Sequence, residues 1–185
     1  MATSTQRPYL LGAVLGGIAW LLGYVLTYLL VASDVRETGL QRFIEAVEGE
    51  PATYEMVGWV FYNAHFVDTV FEGIPGIGSW TTTVIQNNEA LSSILYLVPV
   101  GILVATGLAI ARYAGSDDAQ SGALAGLTAV PGYLLLSVAG VFLVRVTIGG
   151  ATAGPDLLPA IVLAGLFYPI VCAGAGGALA GVLDK

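Results

Sequence analysis

Long runs of apolar residues without a single charge dominate the chain. Tyr9 to Ala32 is 24 such residues, about 36 Å as a helix against a hydrocarbon core of about 30 Å. Leu91 to Ala111, Ser121 to Val144 and Leu157 to Leu183 repeat the pattern. Residues 9–32, 91–111, 121–144 and 157–183 therefore predict four membrane-spanning helices. The first run is too long for the apolar core of a secretory signal, and no convincing small-x-small cleavage site follows it. It is read as a retained helix. Asp117 and Gln120 stand at capping-box spacing before the third run, with Asp117 and Asp118 at its positive dipole end. Pro155-Asp156 plays a similar part before the fourth.

Between the first two runs lies a polar segment, 33–89, with helical periodicity of its own. After Asp34, with Glu37 three residues on, Leu40, Phe43, Ile44 and Val47 recur at helical intervals and Gly49-Glu50-Pro51 closes the helix. From Tyr54 to Phe71 one stripe holds Val57, Val60, Ala64, Val67 and Phe71. A second holds Gly58, Tyr62, His65, Thr69 and Glu72. That second helix is expected to lie at the membrane surface or to cap the bundle. A fifth span competes with this, against the cost of Asn63, His65 and Asp68 at mid-bilayer. Gly73 to Gly78 reads as a turn-rich break, and Trp80 as an interfacial anchor. The expected fold is all-α: an integral membrane four-helix bundle with an acidic, partly helical extramembrane segment between helices 1 and 2.

Composition agrees with that solvent. Hydrophobic residues make up 56% of the 185 and charged residues 10%, where a soluble domain carries about 25% charged. A single cysteine, Cys172, excludes an internal disulfide and a cysteine-based zinc site, and a single histidine, His65, excludes a pair of histidine ligands. No cofactor is expected. The formal charge of −7 is unevenly placed: residues 33–89 hold nine acids and two bases, while the rest of the chain is balanced. With no basic stretch to neutralise phosphates, nucleic acid is not an expected partner. Arg7, Arg112 and Lys185 fall on the side of the termini. The bases on the other side are Arg145 and two within the long acidic segment, where the positive-inside rule weakens. Cytoplasmic termini, a cell-membrane location and an outward-facing acidic segment follow.

Three sets of residues carry candidate chemistry. On a continuous helix His65 would face Asp68, Thr69 and Glu72, with Asn63 nearby, so that a carboxylate could orient and charge the imidazole. No nucleophile is placed to complete a catalytic dyad. Ser92, Tyr96, Pro99 and Thr106 share a face of the second span, and Ser92, Tyr96 and Thr106 are candidates for a polar pathway. Gly12 and Gly16, Gly122 and Gly126, and Gly177 and Gly181 have the spacing that lets a neighbouring helix approach closely, within one bundle or between copies. Pro99, Pro131, Pro159 and Pro169 are expected to bend their helices.

The stretch Trp59-Val-Phe-Tyr-Asn-Ala-His-Phe-Val-Asp68, together with the four spans and the acidic loop, resembles a family of small multi-pass membrane proteins of halophilic archaea whose role is uncharacterised. Some members carry a generic transporter label, and no catalytic or binding residues come with the resemblance. The expected role is that of a non-enzymatic accessory or self-associating subunit in the lipid bilayer, contacting a second copy or a partner membrane protein. A small transporter or channel is the alternative.

Overall fold

The charge-free runs become helices that outlast them. A computed structural model describes residues 7–74, 76, 78–85 and 93–183. Helix α1 covers Arg7–Glu37 and continues past Ala32 through the polar Ser33 to Glu37. Leu97–Ala114 forms α4, entered through one tighter turn at Ser93–Tyr96. Ala119–Leu143 forms α5 and Leu157–Leu183 forms α6. These four helices are long and apolar enough to cross a membrane. They pack α1 on α5, α5 on α6, and α4 on α1 and α6.

Proline leaves its mark where its missing N–H interrupts the regular ladder. In α5 the backbone tightens at Leu127–Ala129, just before Pro131. In α6 it widens over Ala160–Phe167 after Pro159, and again over Pro169–Ala173. The cap of α5 is shifted one residue from expectation. Asp118, not Asp117, accepts from the backbone of Gln120 and Ser121, and the Ser121 hydroxyl completes the reciprocal bond.

The polar segment departs most from expectation. Its first helix, α2, is Gly39–Glu48, and its N-cap is Thr38 rather than Asp34. Asp34 still belongs to α1, whereas Thr38 is extended and its hydroxyl accepts from Gln41 N. Gly49, with φ of 81°, ends α2 in the left-handed conformation that glycine adopts without strain. Helix α3 covers only Thr53–Asn63, not Tyr54 to Phe71. The Asn63 side chain donates to Val67 O across a tight turn, and Thr69–Ile74 is a strand, β1.

β1 belongs to a sheet that corrects the all-α expectation. Gly78–Thr82 is β2, Val146–Ile148 is β3 and Ala151–Pro155 is β4, in the order β2-β1-β4-β3 with every pair antiparallel. Gly149 and Gly150, both at positive φ, make the two-residue turn between β3 and β4. Thr69 to Glu72 pair with Pro155 to Thr152, so the connection after α1 and the connection after α5 are stitched together.

Helix α3 lies beneath this sheet and between α1 and α5. At eleven residues it is about 16 Å long, too short for a fifth span. It is not a surface helix either, since Met56 to His65 are all buried. Its side chains run down the inside of the bundle. Trp59 Nε1 donates to Val144 O at 2.8 Å near the end of α5, the Tyr62 hydroxyl reaches Ser137 O, and His65 meets Tyr133 deeper still.

Candidate functional site

Around His65 the local backbone decides which neighbours are available. Because the helix stops at Asn63, the stripe that would set His65 against Asp68, Thr69 and Glu72 does not form. His65 turns inward and is fully buried, with Nδ1 2.8 Å from Phe61 O and Nε2 2.7 Å from the Tyr133 hydroxyl. A carbonyl only accepts, so Nδ1 carries the proton, and Nε2 accepts from the Tyr133 O–H. Burial drives the imidazole pKa down to about 4, opposed in part by the hydrogen bond to Phe61. The arrangement is a neutral, oriented histidine joining two helices.

The other members of the predicted polar cluster go elsewhere. Asp68 is exposed, and its carboxylate accepts from the Thr83 hydroxyl at 2.6 Å. Glu72 is exposed on β1 opposite Thr152. Asn63 and Thr69 are buried, and the Asn63 side-chain Oδ1 accepts from Val84 N at 2.6 Å, tying the chain after β2 to the end of α3. Among the described residues no group of three His, Cys, Asp or Glu is placed to hold a metal ion.

Of the candidate pathway, Ser92 lies outside the described residues. The Tyr96 ring stacks on Phe66 at 4.9 Å, and its hydroxyl is buried without a partner among the described residues. Thr106 donates to Ile102 O of its own helix at 2.8 Å.

All six spaced glycines face other helices of the same chain. A Cβ at Gly122 would strike Gly177 O, and one at Gly177 would strike Gly122 O. Gly126 meets Ala173 O, Gly181 meets Asp118 O, Gly16 meets Ala129 O, and Gly12 meets the Thr128 side chain.

A concavity lies between α2 and the sheet. Ile44 and Gln41 anchor α2 inward, with Gln41 Nε2 3.5 Å from the Thr53 hydroxyl. Phe43 and Val47 are left 58% and 48% exposed. They face a groove of about 800 Å³ whose other wall includes Phe71, Trp80 and Ile148, with Met56 also lining it. Phe71 and Trp80 stack at 4.8 Å. The Glu48 carboxylate accepts from Gly149 N at 2.9 Å and holds the end of α2 to the β3–β4 turn. Sequence periodicity found the apolar stripe of α2. It missed the groove, because the opposing wall is built from strands β1, β2, β3 and β4, which no local pattern joins to α2.

No curated protein and no solved structure shows a detectable match to the chain. The sequence profile of a family of unknown function, DUF7978, matches residues 1–184, and the chain belongs to that family.

Proposed function

We propose that the chain is a non-enzymatic accessory membrane protein of the cell membrane, with cytoplasmic termini, that acts by binding at its acidic outer cap. One observation carries this reading. The six glycine positions that would admit a helix from another chain are filled by the chain's own helices, so a binding surface falls to the cap and its groove. The orientation follows the side chosen by Arg7 and Arg112. The acid excess of the cap suits a surface facing concentrated salt.

A small transporter is the second reading, favoured by the Tyr96 hydroxyl within the bundle, which has no partner among the described residues. The bond from Thr106 to its own helix weighs against a continuous polar path. Native mass spectrometry after mild extraction, with a liposome flux assay on the same preparation, separates the two. The binding reading expects mass above the bare 19.0 kDa chain, lost on Phe43→Asp, and no flux. A bare chain, added mass that survives Phe43→Asp, or flux that falls on Tyr96→Phe or Thr106→Val overturns it.

A further inference from the structure

The groove between α2 and the sheet has the dimensions and lining of a small-molecule site rather than of a seam between subunits. Its volume of about 800 Å³ lies within the range of about 300–1,000 Å³ typical of ligand pockets. It is walled on one side by Leu40, Phe43 and Val47 and on the other by Phe71, Trp80 and Ile148, and among the described residues no charged side chain lines it. Of the apolar residues of α2 that face it, Leu40 is half-buried while Phe43 and Val47 stay 58% and 48% exposed, although α2 lies beyond the apolar part of α1. Left open to water, those side chains forgo the free energy of burial, about 25 cal/mol per Å² of apolar surface. The surroundings carry one dominant sign. Glu48 is bonded to the groove residue Gly149, Glu37 and Glu72 stand next to the groove residues Thr38 and Phe71, Arg42 stands next to Phe43, and residues 33–89 hold nine acids against two bases.

We infer that this groove binds an uncharged lipophilic small molecule and that its acidic rim discriminates against anionic amphiphiles. The apolar walls take a chain or ring system, and the field of the rim sets the charge of whatever accompanies it. The phosphate of an ordinary phospholipid would meet the same repulsion, so a bilayer lipid is a poor occupant. This inference names the ligand of the cap and rests on the binding reading above.

The test uses the full chain in liposomes and two photoreactive probes with the same diazirine-bearing alkyl chain, one ending in an alcohol and the other in a sulfate. The alcohol should label the segments around Phe43 and Ile148, and excess unlabelled alcohol should displace it. The sulfate should label them about tenfold less, a difference of about 1.4 kcal/mol. Glu48→Gln should raise sulfate labelling several-fold relative to alcohol labelling of the same protein, a change of ratio that a purely structural role for Glu48 would not give. Phe43→Asp and, separately, Val47→Asp should abolish alcohol labelling of the groove while the exposed Leu135 of α5 is labelled as before. Equal labelling by the two probes overturns the inference, as does alcohol labelling that unlabelled alcohol cannot displace. Either failure leaves the mass-spectrometric test of cap binding to stand or fall separately.

Discussion

His65 and Tyr133 are 68 residues apart in sequence and 2.7 Å apart in space. The tyrosine hydroxyl donates to Nε2 while the other ring nitrogen donates to Phe61 O. The pair fastens the inner end of α3 to the middle of α5 in a region from which water is excluded. Tyr133→Phe removes the donor and leaves a buried acceptor unpaired. The expected loss is about 1–3 kcal/mol, measured as a lower unfolding midpoint in detergent. In a double-mutant cycle His65→Gln and Tyr133→Phe should be non-additive; strict additivity would show that the bond contributes nothing.

The same burial sets a pH dependence. With a pKa near 4 in the folded chain against 6.5 for the free side chain, His65 is neutral when folded and takes up a proton on unfolding in the interval between them. Stability therefore falls as pH is lowered from about 6.5 to about 4, by about 3 kcal/mol at most, and is insensitive to this group above 6.5. The measurement is the difference between thermal midpoints of the wild type and His65→Gln across pH, which should shrink toward the acid end. Parallel curves would contradict the account.

Glycine packing gives a third prediction. Gly177→Ile drives a side chain into Gly122 O, and overpacking of this kind costs about 1–3 kcal/mol. Gly101 of α4 is exposed and has nothing within 4 Å of where a Cβ would stand, so Gly101→Ala should leave the midpoint unchanged. A Gly177→Ile protein of unaltered midpoint but altered oligomeric state would place this face between chains instead of within one.

What the sequence made legible followed the range of the forces involved. The four long helices could be read because crossing hydrocarbon imposes a length and a freedom from charge on each segment by itself. The end of α3 could not. From Val57 to Val67 nearly every position is apolar because every side of α3 is buried, and a residue buried on all sides carries no phase with which to tell helix from turn. Thr69 to Glu72 become a strand because Thr152 to Pro155 offer them backbone partners, which no local pattern announces. The β3–β4 hairpin carried a local signal that the all-α reading passed over: Val146-Thr-Ile-Gly-Gly-Ala-Thr152 is a largely β-branched run broken by two glycines. The expected pairing of His65 with Asp68 failed for the same reason as the end of α3, since it assumed a helix through both residues and α3 ends at Asn63, before either.

The connections after α1 and after α5 form one sheet over α3, which requires both to lie on a single side of the membrane. Glu72 and Thr152 are register partners on neighbouring strands, at a separation a disulfide spans. In a Cys172→Ala background, Glu72→Cys with Thr152→Cys should form an internal cross-link on mild oxidation of intact membranes. Two thiols that stay separate, or that react with a membrane-impermeant reagent from opposite sides, would contradict the account.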